Sequence, residues 1–148
     1  SFYRTWRPEY FSDLINLLFR KNKKKNIFLI GAENEISLAK KIKNKCVSPN
    51  NVIISCNPII TNLAILTKSR FFIGNDSGPL NLSGAMGIRS FGLFGASPPL
   101  KNVSNIHALV PPRGPVDPHK YGFNPISLEE GMDLIKPKYV YNKVKRFI

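Results

Sequence analysis

Short apolar runs alternate with stretches of helical period along this chain, and that alternation predicts an α/β protein: a Rossmann-like parallel sheet flanked by helices. Two further observations point the same way. The runs are continuously apolar, as strands covered on both faces are. One of them, Phe71 to Gly74, passes through Asn75-Asp76-Ser77-Gly78 straight into a helix rich in small residues. Sheets of this kind bind ligands beyond the carboxyl ends of their strands, at such junctions.

The elements follow in order. Phe11, Leu14, Ile15, Leu18 and Phe19 recur at helical offsets, so Glu9 to Arg20 reads as an amphipathic helix with Pro8 suited to its first turn. Asn26 to Ile30 is a buried strand ending at Gly31-Ala32. Residues 34–44 put Ile36, Leu38, Ala39 and Ile42 on one helical face with lysines opposite. Asn51 to Ser55 is the next strand, followed by a helix around Thr61 to Lys68. After the strand Phe71 to Gly74 come a helix over Pro79 to Met86 and a strand over Ser90 to Phe94. Gly84 and Gly87 are expected to let that helix lie close to the sheet. The strand ends then place Gly31, Asn57, Asp76 and Gly95 along one edge. Beyond Gly95 the texture changes, because residues 96–125 hold most of the twelve prolines and read as ordered surface loops with one strand at Ile106 to Val110. Ser127-Leu128-Glu129-Glu130 is a capping box for a last helix through Ile135, with Pro137 as its stop. The expected organisation is one domain over 1–148, with 96–125 as Pro-rich loops and 126–148 as a C-terminal helix and basic tail.

Composition bounds the partners. A hydrophobic fraction of 43% is that of a globular chain, and no apolar run approaches the ~18 residues of a membrane span. Cys46 and Cys56 lack Cys-x-x-Cys spacing and read as free thiols of a reducing compartment, and His107 and His119 show no ligand spacing, so no metal or cofactor is expected. The chain opens on Ser1 rather than Met, which reads as a fragment or a processed product. Its formal charge of +13 favours anionic partners. Lys21 to Lys25 has no interleaved aromatics and reads as a solvated loop. Lys136, Lys138, Lys143, Lys145 and Arg146, set among Tyr139, Tyr141 and Phe147, leave two readings open: a tail resting on an anionic membrane at about 1 kcal/mol per charge, or a helix docked on the domain.

The Asn75–Gly78 turn is the most specific signal. Backbone N–H groups at a helix N-terminus lack intrahelical partners and, with the helix dipole, favour a bound anion such as a phosphate or diphosphate. Ser77 is placed to cap and Pro79 to pre-set the first helical turn. Neither Gly-x-Gly-x-x-Gly nor Gly-x-x-x-x-Gly-Lys occurs, which argues against a dinucleotide oxidoreductase or an NTPase. No lysine follows the turn, so compensating charge must come from elsewhere, with Arg4 the candidate. A carboxylate touching a diphosphate is repelled, so Asp76 is expected to organise the turn by accepting backbone N–H bonds.

Asn75-Asp76-Ser77-Gly78-Pro79, with Leu82, Ala85, Gly87 and Leu93-Phe94-Gly95, resembles glycosyltransferase family nine, the heptosyltransferases of lipopolysaccharide core assembly. The family pattern runs Asp-(Ser/Thr)-Gly-x-x-His, a small-residue helix, then Leu-Phe-Gly-x-(Thr/Ser)-x-Pro; Ala96-Ser97-Pro98-Pro99 continues it here. Arg4-Thr5-Trp6 before Pro8, and Gly31-Ala32 with Glu35 or Glu33, are similar to two further family motifs. The resemblance implies the two-domain GT-B architecture, with this chain as its C-terminal, donor-binding half. It further implies that Ser77 and Gly78 offer hydroxyl and N–H groups to the diphosphate and that Arg4 reaches a phosphate or the sugar. Glu35 would meet the ribose and residues around Asn57 to Ile60 the base, with Ser97 a further pocket residue. Asn81 stands where the family has His, which removes a titratable group and keeps hydrogen bonding. Inverting transfer also needs an acidic general base beside the acceptor hydroxyl, which the family carries in its N-terminal domain, outside these residues.

The leading expectation is therefore an enzyme part: the donor domain of a glycosyltransferase that binds a nucleotide-diphosphate sugar, ADP-heptose-like, and serves lipopolysaccharide or related glycan synthesis. The lipid-linked or glycan acceptor is met through a missing N-terminal domain. Its expected place is the cytoplasm, at the inner face of the cytoplasmic membrane if the tail rests there. The alternatives are a non-catalytic nucleotide-binding module and a basic nucleic-acid-binding domain, nucleic acid being the disfavoured partner.

Overall fold

The computed structural model describes residues 4–95, 103–112 and 131–148. The chain forms two compact units, one of Ser1–Arg7 and Ser69–Lys136, the other of Pro8–Lys68 and Pro137–Ile148.

In the second of these, helix α1 (Pro8–Lys21) leads to strand β1 (Ile27–Ile30). A 3-10 turn (Glu33–Glu35) then runs into α2 (Ile36–Asn44), followed by β2 (Val52–Ser55) and α3 (Ile59–Thr67). The two strands pair in parallel, Ile27 opposite Val52 through Ile30 opposite Ser55. The apolar stripe of α1 is buried at Leu14, Ile15, Leu18 and Phe19. Ile15 and Phe19 pack with Ile42, Cys46 and Val52, flanked by Phe11, Ile27, Leu29 and Leu38. A fully buried side chain of this size contributes about 1.5–3 kcal/mol, so the α1–α2–β2 contact is a substantial part of what holds this unit together. Strand alternation turns Phe28 and Ile53 to the opposite face. There these cross-strand partners keep 41% and 37% of their surface exposed, so one face of the pair is covered more fully than the other.

Pro137 does more than stop a helix: it is the first residue of α5 (Pro137–Val144), where its missing N–H costs nothing. The helix buries Pro137, Val140 and Val144, packs on α1 and ends in a 3-10 turn. The basic tail is thus a docked helix, with Lys138, Lys143, Lys145 and Arg146 exposed on its outer side. Lys143 lies 5.5 Å from the Tyr139 ring centre and Arg146 4.7 Å from that of Phe147.

The other unit holds β3 (Phe72–Asn75), α4 (Gly78–Ala85), β4 (Ser90–Leu93) and β5 (Ile106–Leu109), with strand order β3-β4-β5 and every pair parallel. Central β4 is buried along its whole length, as a doubly covered strand should be. Strand β5 is the one expected within the Pro-rich region. Helix α4 packs on all three strands. A Cβ on Gly84 would lie 2.6 Å from Ile106 Cγ1, so the expected close approach of helix to sheet holds there. Gly87 serves otherwise: a Cβ on it would meet nothing within 4 Å, and its φ of 78° ends the helix. Gly87 N–H donates to Gly84 O and Ile88 N–H to Ser83 O, the paired bonds of a left-handed helix stop. Ser83 and Ser90, both fully buried, join α4 to β4 through hydroxyls 2.7 Å apart. Residues 131–133 are helical, in keeping with the last part of the expected helix; its capping box lies outside the described residues.

Arg7 and Asp133 tie the two chain segments of this unit together by a bidentate pair, Nε to Oδ1 and Nη2 to Oδ2. That hydrogen bond, with the nearby Arg7 and Lys136 charges, holds the Asp133 carboxyl below its ordinary value against the opposing effect of burial. A carboxylate with a depressed folded value stabilises above its unfolded value and loses that contribution as pH falls through the folded one. Asp133→Asn is accordingly expected to lower the melting temperature at neutral pH by an amount that shrinks to nothing in acid. A gap between the two proteins that is the same at pH 7 and pH 3 contradicts this.

Candidate functional site

The strand–turn–helix junction is built from the segment before α1 and the end of β3. Trp6 is 1% exposed, and its backbone N–H donates to Asn75 Oδ1 at 3.0 Å while its indole N–H donates to Ile135 O at 2.7 Å. Those bonds strap residues 4–7 beside the turn. Arg4 is thereby carried to Asp76, with Nη1 to Oδ2 at 3.7 Å.

Two expected roles change. Ser77 occupies the position before the helix in extended conformation, but its Oγ donates back to Asn75 O at 3.0 Å and does not cap. A short hydroxyl satisfies whichever carbonyl the turn brings nearest, and here that is two residues back. Asp76 accepts no backbone hydrogen bond among the described residues; it pairs with Arg4, while Asn75 and Ser77 shape the turn. The carboxylate's work is to hold a guanidinium at the junction. The N-terminus of α4 consequently carries no side-chain cap. Gly78 is exposed with nothing within 4 Å of an added Cβ, and Asn81 is exposed on the first turn of the same helix. Arg4, Asp76, Ser77, Gly78 and Asn81 therefore gather around one helix N-terminus, an arrangement that attracts anions.

Glu35 belongs to the other unit. Its Oε2 accepts the Ala32 N–H at 2.7 Å and its own N–H donates to Ala32 O at 2.9 Å, closing the turn after β1. A Cβ on Gly31 would come within 2.9 Å of that carboxylate oxygen. Half-buried Cys56 stands near it, its thiol pushed up by burial and by the Glu35 charge. The region expected around Asn57 to Ile60 is the start of α3, where Ile59 and Ile60 are 52% and 76% exposed.

Beside the start of α3 lies a network of which sequence reasoning picked out Asn57 and Gly31 and missed Ser55 and Asn62. Asn57 Nδ2 donates to Ser55 Oγ at 3.0 Å, and Ser55 Oγ donates to Asn62 Oδ1 at 2.7 Å. Asn62 Nδ2 donates to Asn57 O at 3.2 Å and to Gly31 O at 3.4 Å. Ser55 and Asn62 are 2% and 4% exposed. A polar residue closing an apolar strand and another inside the apolar Ile59–Leu66 run were the available signals. Ser97 lies outside the described residues.

Parallel strands joined through helices, with an uncapped helix N-terminus following β3, make this a Rossmann-like α/β fold of the GT-B type. The glycosyltransferase family 9 (heptosyltransferase) profile matches residues 3–106, and the chain belongs to that family. Solved structures agree on the fold. E. coli ADP-heptose LPS heptosyltransferase II superposes with a TM-score of 0.78 at 13% identity, over 97% of this chain and 42% of that one. E. coli heptosyltransferase WaaC with ADP-2-deoxy-2-fluoro heptose gives 0.72 at 18% identity, over 98% and 39%, and WaaC with ADP gives 0.70 at 17%, over 98% and 40%. The chain thus spans about two-fifths of the length of these proteins. Comparison with curated protein sequences gives no match.

Proposed function

We propose that these residues form the C-terminal donor-binding domain of an inverting glycosyltransferase, taking an ADP-heptose-like nucleotide-diphosphate sugar for lipopolysaccharide or related glycan synthesis. The observation that carries this is the open, uncapped N-terminus of α4 with Arg4 held 3.7 Å from Asp76 beside it. On this reading the Ser77 hydroxyl, the first N–H groups of α4 and Arg4 hold the diphosphate. Asn81 supplies a neutral hydrogen-bonding group near it, and Ser97 adds to the same pocket. Glu35 takes the ribose hydroxyls and residues around Asn57 to Ile60 the base. Negative charge grows on the diphosphate as the glycosidic bond breaks, and donors fixed in place before reaction stabilise it without reorganisation. The scheme uses no metal. The carboxylate that deprotonates the acceptor is assigned to residues outside these 148. ADP seen in WaaC is in keeping with the donor class.

The exposed lysines of α5 and the 3-10 turn after it support a peripheral contact with the inner face of the cytoplasmic membrane. Among the described residues no helix is long and apolar enough to cross a bilayer.

The test is calorimetric titration of ADP, UDP and GDP, with the matching sugar nucleotide, at low and high salt. Saturable binding that favours one nucleotide and survives high salt is expected. Absence of nucleotide binding together with steeply salt-dependent DNA binding would favour a nucleic-acid-binding protein instead.

A further inference from the structure

We infer that Asn62, acting with Ser55, is a positioning residue for the nucleoside half of the donor: it locks the turn after β1 to the loop after β2, an inference that rests on the donor-binding reading above. The bonding runs in one direction without conflict. Asn57 gives a proton to Ser55, Ser55 gives its own to Asn62, and the two amide hydrogens of Asn62 go to the carbonyls of Asn57 and Gly31. The carbonyl oxygen and both amide hydrogens of Asn62 are matched, which fixes the orientation of its carboxamide. Ser55 Oγ, having given its proton to Asn62, is left to accept from Asn57. Asn57 is held at both its side chain and its backbone, and Gly31 is held on the residue that precedes the Ala32–Glu35 turn. Helix α3 therefore clamps, through one side chain, the turn that carries Glu35 on one side and, on the other, the loop at Asn57 that leads into Ile59 and Ile60. Neither Ser55 nor Asn62 reaches solvent to any extent, so neither is offered to the nucleotide itself. A buried network of this kind sets the spacing of exposed groups at low entropic cost to binding.

The experiment compares the unsubstituted chain with Asn62→Ala and Ser55→Ala, titrating ADP and, separately, inorganic pyrophosphate. Affinity for ADP is expected to fall about tenfold in Asn62→Ala, the equivalent of one lost hydrogen-bonded constraint. Affinity for pyrophosphate, which lacks the nucleoside, is expected to stay unchanged. Thiol labelling supplies a readout that needs no nucleotide. Cys56 lies on the loop after β2 with its thiol facing Gly31, and should react several-fold faster once the clamp is cut, whereas core-buried Cys46 should stay slow and so report an intact fold. If Asn62→Ala exposes Cys46, Ser55→Ala carries the test, since it removes a single hydroxyl from the strand end. Unchanged ADP affinity in the folded variants overturns the inference alone, as does a pyrophosphate affinity that falls in step with that for ADP. Failure of the unsubstituted chain to bind ADP overturns the donor reading and the inference with it.

Discussion

Gly78→Val is expected to leave stability nearly untouched and to abolish nucleotide binding. The backbone at Gly78 needs no left-handed conformation, and an added Cβ meets nothing within 4 Å. An exposed substitution of this kind shifts stability by about 0.5 kcal/mol, and the poorer helix propensity of Gly offsets part of that. The isopropyl group, however, would stand over the first N–H groups of α4, which no side chain caps. A hydrogen bond to a charged group contributes about 1.5–3 kcal/mol. Losing two of them weakens binding by about 100-fold or more. Thermal denaturation and ADP titration on the same protein separate the two effects. Retention of ADP affinity within a few-fold would remove the turn from the donor site. A parallel loss of folding would mean that Gly78 is structural after all.

Trp6→Ala is expected to cost about 3–5 kcal/mol, the range for emptying a large buried aromatic site. Trp6 is 1% exposed, and its indole satisfies Ile135 O at the far end of the same unit. Trp6→Phe keeps most of the ring packing but leaves that buried carbonyl without its partner, so a loss of about 1–3 kcal/mol is expected. Denaturation followed by far-ultraviolet circular dichroism measures both, because the chain has only one tryptophan to act as a fluorescent reporter. A Trp6→Ala cost below that of Trp6→Phe would show that the segment does not strap the junction. Since the same segment carries Arg4 to Asp76, the alanine variant should also weaken ADP binding through misplacement of the guanidinium.

Both variants probe features that were only partly legible in the sequence. The Asp76-Ser77-Gly78 turn stood out by residue type and spacing, Arg4 as a candidate compensating charge, and Trp6 through the family resemblance. What each atom does there was not legible. The Ser77 hydroxyl had two carbonyl and amide options within a few residues, and only the assembled turn shows it bonded to Asn75 O. Asp76 had no visible partner until Arg4, more than seventy positions away, was brought beside it. The role of Trp6 depends on a carbonyl 129 residues further on. Ser55 and Asn62 looked like isolated polar residues, because a network through Gly31 appears only when two loops and a helix are packed together.

The sequence by itself determined the element order, the parallel strands, the position of the anion-attracting turn and the need for Gly84 against the sheet. These rest on propensity, period and the shape of single residues, which act over a few positions at a time. The tertiary structure decided that the basic tail is a helix docked on α1 through Val140 and Val144, and that Gly87 is a helix stop. It also decided that Asp76 holds Arg4 and that Asn62 clamps two loops. Those outcomes depend on which distant groups meet, and a hydrogen bond or ion pair is chosen by distance and competition in the folded chain rather than by local pattern.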